Sequence, residues 1–208
     1  MRKPQASLYE IPFSTEDIKL YPNGERFLMN VIFLSDNYYL CVGTSRARFN
    51  VTFVEGMKEV NTLCDLPSSS TCVVAIEHNV LRNEAIKHLK KRGCRYIVLL
   101  NEIEQGCYVK INGTVYSSLH FNIKRLRRLL HFLHSLKQSH FTRREYDVLK
   151  LSHLENNKIA RALQLSEKTT STYRVKIQEK LNMRAKNMLA MHRIKSVIVD
   201  QRFESGSG

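Results

Sequence analysis

Hydrophobic and polar positions divide the chain into two halves with different patterns. In the first half, short apolar runs alternate with polar stretches of helical spacing, and all four prolines lie before residue 68. The runs 27–34 (FLMNVIFL), 72–76 (CVVAI) and 96–100 (YIVLL) are typical of strands buried on both faces of a parallel sheet. Residues 83–92 (NEAIKHLKKR) lie between two runs and end at Gly93, a frequent helix terminator. Such alternation predicts an α/β layered domain.

The second half has no proline, and no glycine between Gly113 and Gly206, so helices can run with few interruptions. Residues 121–137 place apolar side chains on one stripe and basic side chains on the other, which predicts a helix leading out of the first domain. The alternative is a helix that forms a dimer or touches phosphates. The apolar stripe consists of Ile123, Leu126, Leu129, Leu130, Leu133 and Leu136.

Residues 142–181 predict three helices, of which the second and third are joined by a tight turn. Thr142 and Glu145 have the spacing of a capping box, which begins the first helix. The second helix is expected near 156–163. The third runs from about 167 to 181, with Ser166 as its N-cap. A short helix, a tight turn and a longer helix form the helix-turn-helix layout.

The third of these helices begins with a cluster of hydroxyl side chains. Residues 169–172 read TTST, and such residues have mediocre helix propensity, so we expect a role other than helix stability. Small hydroxyl groups can donate to or accept from base edges, and threonine adds a methyl group for thymine. Lys168, Arg174 and Lys176 flank the cluster at positions suited to phosphates. The pattern predicts a DNA-reading helix.

Positive charge is concentrated in the second half. The formal net charge is +14; residues 1–120 hold 14 Lys/Arg and 12 Asp/Glu, whereas residues 121–208 hold 19 and 7. This asymmetry indicates a polyanionic partner, and the alternative is a solvated basic surface without one. The sequence contains no run of about 18 apolar residues and no apolar segment behind its N-terminal basic residues. We therefore expect a cytoplasmic protein without membrane contact.

The five cysteines predict buried free thiols, because their number is odd, their spacing is irregular and no C-x-x-C pair occurs. His131, His134 and His140 lie close together, but a third ligand at metal-site spacing is missing. We expect no metal and no cofactor. The sequence has no phosphate-binding glycine motif and no nucleophile elbow, so we do not expect an enzyme.

The second half resembles the C-terminal DNA-binding domain of the LuxR/FixJ family of bacterial regulators. The resemblance covers about residues 141–192 and implies an all-α domain of four helices. One departure is His153, which stands where the family usually has a glycine, so we expect that loop to bend differently. The patterns in register are Thr142 with Glu145, Ile159-Ala160, Leu165-Ser166 with Thr169, and Lys180-Leu181.

The same resemblance implies which residues contact DNA and which form a dimer. Base-reading positions correspond to Ser171, Thr172 and Val175. The last helix, within 185–199, is implied to supply a two-fold contact. The predicted contacts to the DNA backbone are Asn157, Lys168, Thr169, Arg174 and Lys176, and Asn156 and Lys158 are further predicted DNA-binding residues. The predicted dimerisation residues are Met188, Leu189, Ile194 and Val197.

The first half resembles, more weakly, a phospho-receiver domain. Receivers hold Mg²⁺ with two acids after the first strand and accept phosphate on an aspartate after the third. The matching positions here are Ser35, Asp36 and Glu77, while Asn101 and Lys110 match the receiver's small hydroxyl residue and its lysine. One magnesium acid is missing, and a glutamate lacks the geometry of the aspartyl phosphate. We therefore predict a degenerate receiver, and hypothesise that a Glu77–Lys110 pair mimics the switched-on state.

These features predict a bacterial, sequence-specific transcription regulator that binds double-stranded DNA without control by phosphorylation. It is expected to act as a homodimer or as a heterodimer with a related regulator, and RNA polymerase is a further candidate partner. The alternative is an auxiliary or antagonist module that modulates another regulator and binds DNA poorly alone. The predicted segments are an N-terminal extension (1–25), a receiver-like α/β domain (26–118), a linker helix (119–139), a helix-turn-helix domain (140–203) and a flexible tail (204–208).

Overall fold

A six-stranded sheet forms the centre of the first domain in the computed structural model, which describes residues 31–199. Strands and helices alternate along the chain up to the fourth strand, as the apolar runs predicted, and the α/β fold class is confirmed. The elements are β1 (Val31–Ser35), α1 (Tyr38–Arg46), β2 (Asn50–Phe53), α2 (Met57–Asn61), a 3₁₀ turn (Thr62–Asp65), β3 (Thr71–Ala75), α3 (Asn79–Lys91), β4 (Arg95–Leu100), β5 (Tyr108–Ile111) and β6 (Thr114–Ser118).

The strand order is β2-β1-β3-β4-β6-β5, and only the edge strand β5 runs antiparallel to its neighbour. Phe33, Val73, Ile97 and Val115 lie side by side across the four central strands. The sequence did not predict the β5–β6 hairpin. Its two-residue loop is Asn112-Gly113, with φ of 49° and 81°, the left-handed pair that tight hairpin turns require.

Each face of the sheet has its own apolar cluster. On one face, Phe33 and Val73 pack in a cluster with Leu126 and Leu129 of the helix that follows the sheet. On the other face, helices α2 and α3 supply the covering side chains, including Leu89. The runs predicted as strands over 72–76 and 96–100 match β3 and β4 within one residue. Residues 27–30 of the first run lie outside the described residues, as do the predicted segments 1–25 and 204–208.

Five helices follow the sheet within the described part of the chain. The helix predicted over 121–137 ends earlier, at His131, because residues 132–135 form a turn in which the Ser135 N–H donates to the Phe132 carbonyl (3.0 Å). Thr142 and Glu145 form the predicted capping box, which is confirmed by both reciprocal hydrogen bonds. The helices are α4 (Ile123–His131), α5 (Arg143–Lys150), α6 (Asn156–Leu163), α7 (Glu167–Lys180) and α8 (Met188–Ile198).

The helical domain covers the part of the sheet that α2 and α3 leave open. Val98 and Leu100 of β4 and Tyr116 of β6 belong to one buried cluster with Met183 and Val197 of the helical domain. No helix lies between β4 and β6 in the chain; the β5 hairpin strand stands there instead. The apolar face of β4, β6 and β5 is therefore buried by the second domain, and burial of apolar surface is the main term that stabilises such contacts.

Main-chain hydrogen bonds also join the two domains. The Glu104 N–H donates to the Asn182 carbonyl (2.8 Å), and the Arg184 N–H donates to the Glu102 carbonyl (2.8 Å). They flank an antiparallel β-bridge between residues 103 and 183. Further side-chain contacts join the Asn182 amide to the Tyr108 carbonyl (3.2 Å), Arg184 to His120 (2.6 Å) and Arg193 to Glu102 (3.9 Å).

All five cysteines are free thiols. Cys41, Cys72 and Cys94 are buried, in agreement with the sequence analysis, and burial raises the pKa of Cys72 to about 12. The expectation of burial is wrong for Cys64, which is exposed on the 3₁₀ turn with its Sγ 2.9 Å from His88 Nδ1.

Candidate nucleic-acid interface

Helices α6 and α7 are joined by a turn whose geometry is fixed by two local features. Gln164 ends α6 in the left-handed conformation (φ 54°), and the Leu165 N–H donates a hydrogen bond to the Ala160 carbonyl (2.8 Å). Ser166 then begins α7 as its N-cap, because its Oγ accepts from the Thr169 N–H (3.0 Å). The turn, the predicted helix bounds over 156–163 and the predicted N-cap are thus all present in the structure.

The inner sides of both helices are buried in one core. Ile159 of α6 and Ile177 of α7 are fully buried, and they cluster with Leu149 of α5 and with Leu181. Thr170 is also fully buried, and its hydroxyl donates to the Ser166 carbonyl (3.1 Å). Burial on this scale fixes how α7 rotates about its axis, so its remaining side chains face outward in a defined order.

The outward side of α7 carries the predicted base-reading residues. Ser171, Thr172 and Val175 are exposed, and Val175 keeps 45% of its surface accessible. Val175 lies four residues after Ser171 and three after Thr172, and residues at these spacings share one face of a helix. The Thr172 hydroxyl donates to the Lys168 carbonyl (3.0 Å), and its oxygen can still accept a hydrogen bond. Lys168 and Lys176 are exposed at the two ends of this set.

The other residues predicted to contact DNA differ in their solvent exposure. Asn157 and Lys158 are exposed at the first turn of α6, where Lys158 makes a loose ion pair with Glu155 (3.9 Å). Asn156 is half-buried, as is Thr169, whose hydroxyl lies 2.8 Å from the Ser166 Oγ. Asn157 and Lys158 are therefore accessible to a partner.

Arg174 contacts the backbone of its own domain. Its guanidinium donates to the carbonyls of Ser152 (3.2 Å) and Leu154, on either side of His153 in the turn between α5 and α6. Burial lowers the pKa of Arg174. The guanidinium is therefore engaged with carbonyls that would otherwise lack a donor, while its contact with DNA phosphate stays a prediction.

Residues 139–192 match the family model described as bacterial regulatory proteins, LuxR family. The C-terminal domain is a LuxR-family helix-turn-helix domain. No match was found among curated proteins.

Several solved structures are similar to this chain at low sequence identity. The RcsB–DNA complex is 18% identical with a TM-score of 0.47, covering 81% of this chain and 98% of that chain. RcsB from Salmonella enterica serovar Typhimurium bound to promoter rprA with the phosphomimetic BeF3- is 19% identical (TM-score 0.48; 81% and 99% covered). Full-length FixJ from B. japonicum is 16% identical (TM-score 0.30; 81% and 98% covered).

The last helix of the LuxR-type domain, α8, divides the four predicted dimerisation residues into two pairs. Met188 and Leu189 are exposed, and Leu189 keeps 59% of its surface accessible. Ile194 and Val197 are buried, with Val197 at 1%, and they belong to the cluster shared with β4 and β6. In this arrangement the second pair contacts the chain's own first domain and is unavailable to a partner.

The predicted receiver pocket lies at the carboxyl ends of β1, β3 and β4, next to the LuxR-type domain. Ser35 is buried, and its hydroxyl donates to the Ala75 carbonyl (2.9 Å). The carboxylate of Asp36 accepts from the backbone N–H groups of Glu77 (2.9 and 3.0 Å) and His78 (2.9 Å). Glu77 is exposed. Among residues 31–199 no group of three acidic, histidine or cysteine side chains could hold a metal ion.

Lys110 does not belong to this pocket, and the hypothesis of a Glu77–Lys110 pair is wrong. Its Nζ donates to the carbonyls of Leu133 (3.1 Å) and His134 (3.3 Å) in the turn after α4. The reason is the unpredicted hairpin: β5 carries Lys110 on the sheet edge, and β6 takes the parallel place beside β4. Leu119, directly after β6, lines the pocket instead, together with Asn101.

Arg82 is a functional candidate that the sequence analysis missed. It lies on α3 beneath the same pocket, is 5% exposed, and donates to the carbonyls of Ile76 (3.2 Å) and Glu77 (3.3 Å) and to the Asn79 side chain. Burial lowers its pKa, and the nearby charge of Glu102 partly offsets this. The sequence signal was a single arginine on the inner side of an amphipathic helix, where apolar residues are the rule.

No helix within residues 31–199 has the length and apolar character needed to cross a membrane.

Proposed function

We propose that this protein is a sequence-specific regulator of transcription that reads double-stranded DNA with α7. One observation carries the proposal: the first turns of α7 present Ser171, Thr172 and Val175 to solvent while the opposite side of the helix is buried in its own domain. A recognition helix must insert such a face into the major groove, where base edges differ in their donors and acceptors.

Charge around this face supports binding to a polyanion. Lys158, Lys168 and Lys176 are exposed, and Lys168 and Lys176 flank the predicted base-reading set along α7. Residues 121–208 hold 19 basic and 7 acidic side chains. Phosphate contacts of this kind supply most of the affinity for any DNA, while the residues between them select the sequence.

A mobility-shift titration of the full chain over a series of salt concentrations tests this proposal. Each phosphate contact contributes a slope of roughly −0.9 to the plot of log affinity against log salt, and we expect a total of at least about −4. A slope near zero would rule out DNA binding. Genome-wide capture of bound DNA then identifies the preferred site and supplies the specific duplex for later measurements.

Phosphorylation does not control the protein in this proposal. Asp36, the remaining acid after β1, is engaged with two backbone N–H groups, and Ser35 supplies a buried hydroxyl in place of the second acid. Glu77 stands at the acceptor position with a side chain one methylene longer than aspartate. Magnesium binding and acyl-phosphate chemistry both lack a residue that they need.

We further propose that the protein acts in the cytoplasm, on its site, as a homodimer or with a related regulator. The exposed apolar pair Met188 and Leu189 on α8 supports a contact outside the chain, because large apolar side chains are costly to leave in water. RNA polymerase is a further candidate partner through the remaining surface of the LuxR-type domain.

A second candidate function is an auxiliary or antagonist module that binds another regulator and binds DNA poorly alone. Exposed aromatic residues at the start of α1 and the end of β2 favour it: Tyr39 keeps 85% of its surface accessible, and the ring of Tyr38 lies 5.9 Å from Tyr39 and 6.1 Å from Phe53. Exposed apolar patches often mark protein interactions. The salt titration separates the two, since a module of this kind would bind DNA only after its partner is added.

A further inference from the structure

A cleft of about 240 Å³ lies at the junction of the two domains. Its floor is formed by the carboxyl ends of β3 and β4, and one wall is α8, through Arg193 and Val197. In parallel sheets, the carboxyl ends of the strands are where small molecules usually bind. Small-molecule sites typically measure roughly 300–1,000 Å³, so the occupant of this cleft would be smaller than a nucleotide or a drug-sized compound.

One side of the cleft holds a buried guanidinium whose hydrogen bonds all go to neutral oxygens. Arg82 lines the cleft, is 95% buried, and donates to the carbonyls of Ile76 and Glu77 and to Asn79. Within the described part of the chain, its Nε has no hydrogen-bond partner. A buried charged donor without a partner is unfavourable, so an anionic oxygen that reaches this guanidinium from the cleft would be bound favourably.

The rim of the cleft carries charges of both signs. Glu77 is exposed, and across residues 31–199 its carboxylate accepts no hydrogen bond and forms no ion pair. Glu102 and Arg193 face each other across the domain junction at 3.9 Å, a long distance for an ion pair. A simple anion would be attracted by Arg82 but repelled by the two carboxylates, whereas a ligand carrying both charges satisfies both sides.

We propose that this cleft binds a small zwitterion of the α-amino acid class. The ligand carboxylate contacts the guanidinium of Arg82, and its ammonium group contacts Glu77. Short apolar side chains fit against the strand ends and Val197, which form the apolar part of the lining. Because the cleft is built from both domains, a bound ligand stabilises their docked arrangement. This inference does not depend on DNA binding.

Thermal unfolding of the full chain with a panel of small molecules tests the proposal. The probes are the individual proteinogenic α-amino acids, and the matched controls are propionate and ethylamine, which carry the two charged groups of alanine separately. At a concentration of about 100 Kd, a ligand that binds only the folded chain multiplies the folded-to-unfolded ratio about 100-fold. We expect at least one amino acid to raise the melting temperature, with neither control doing so at equal concentration, and calorimetric titration to give one site per chain.

Three variants connect the binding to the cleft. Glu77→Gln, at an exposed position, is expected to weaken binding of the identified amino acid at least 10-fold without lowering the stability of the free chain. Arg82→Lys is expected to weaken it likewise, and if that variant fails to fold, Glu77→Gln decides alone. Glu84→Gln is the control on the same helix: it lies outside the cleft, paired with Lys87 at 3.9 Å, and should bind normally. The proposal is overturned if no amino acid binds, if propionate or ethylamine binds equally well, or if Glu77→Gln binds like the unmodified chain.

Discussion

The Nζ of Lys180 lies 2.6 Å from the Oε2 of Glu145, and this ion pair joins the last turn of α7 to the first turn of α5. The same carboxylate oxygen accepts from the Thr142 N–H (2.8 Å), and Lys180 also donates to the His140 carbonyl (3.1 Å). One buried carboxylate thus caps α5 and holds the end of α7. The position of the C-terminal end of α7 relative to α5 therefore depends on Glu145.

Replacing Glu145 by glutamine should destabilise the LuxR-type domain and change its response to acid. Burial of Glu145 opposes its ionisation, but the hydrogen bonds from Lys180 and from the Thr142 backbone outweigh it and lower the pKa. A depressed pKa contributes stability above the ordinary value of about 4.3, and this contribution is lost as pH falls through the folded-state pKa. We expect Glu145→Gln to lower the free energy of unfolding by about 1–3 kcal/mol near neutral pH.

Denaturant unfolding of the variant and of the unmodified chain, at neutral pH and at decreasing acid pH, measures this effect. The free energies of unfolding of the two chains should converge at pH values below the folded-state pKa of Glu145. Glu155→Gln is the matched control, because its pair with Lys158 is exposed and 3.9 Å long, and such pairs contribute about 0–1 kcal/mol. An equal loss in both variants would contradict the special role of Glu145.

Thr172→Ala and Lys176→Ala should separate sequence reading from phosphate contact on α7. Thr172→Ala is expected to cost about 1–3 kcal/mol on the preferred site and little on random DNA. Lys176→Ala should weaken both equally and reduce the salt slope by about one. Affinities for both duplexes, with the melting temperature of each variant, decide the outcome. If Thr172 only packs on the helix surface, its variant melts earlier and keeps the ratio of specific to non-specific affinity.

Arg174→Ala should lower the stability of the LuxR-type domain. Its guanidinium holds two carbonyls of the α5–α6 turn, and loss of these bonds is expected to lower the free energy of unfolding by about 1–3 kcal/mol. Arg161→Ala, an exposed arginine on α6, serves as the comparison and should leave stability unchanged. If Arg174→Ala melts normally but loses affinity for all DNA, the side chain contacts phosphate after all.

Two glutamate substitutions on α8 should separate domain docking from self-association. Val197→Glu places a charge in the domain junction, in a cleft that already holds two carboxylates, and is expected to separate the domains and lower the melting temperature. Leu189→Glu, on the exposed side of the same helix, should leave stability unchanged and weaken self-association. Small-angle scattering of dilute protein reports the first effect as a larger radius of gyration, and analytical ultracentrifugation with operator DNA reports the second. A Leu189→Glu variant that still dimerises on DNA with full affinity would argue against this contact.

Incubation with acetyl phosphate and magnesium should leave the mass of the chain unchanged. The carboxylate of Asp36 is engaged with the backbone, and Ser35 supplies no carboxylate. Intact-mass measurement checks this, with a phosphorylatable receiver domain treated in parallel as a positive control. A gain equal to one phosphoryl group that disappears in Glu77→Gln would show that the chemistry survives.

The helix-turn-helix was predictable because its determinants are local. The capping box at Thr142, the N-cap at Ser166 and the apolar spacing of α6 and α7 act over three or four residues, and all are readable from the sequence. The alternation of strands and helices was readable for the same reason. These signals did not indicate which side of the sheet each element would cover.

The features that the sequence did not indicate are contacts between residues far apart in the chain. Lys110 was matched to a receiver position because the Asn112-Gly113 turn signal was not used, and the hairpin moves this lysine to the sheet edge. Arg174 was assigned to phosphate because its position suits that role, although the carbonyls around His153 lie within its reach. Val197 was assigned to a dimer because the sequence does not indicate that the sheet face at β4 and β6 lacks a helix of its own.

The bridge between residues 103 and 183 has a consequence for how substitutions are tolerated at the domain junction. The hydrogen bonds that flank it use backbone atoms of Glu102, Glu104, Asn182 and Arg184, so exchange of these side chains leaves both bonds possible. Proline is the exception at positions 104 and 184, where it removes the donating N–H. A saturation library read out by folding yield should therefore show broad acceptance at these two positions, with proline as the outlier.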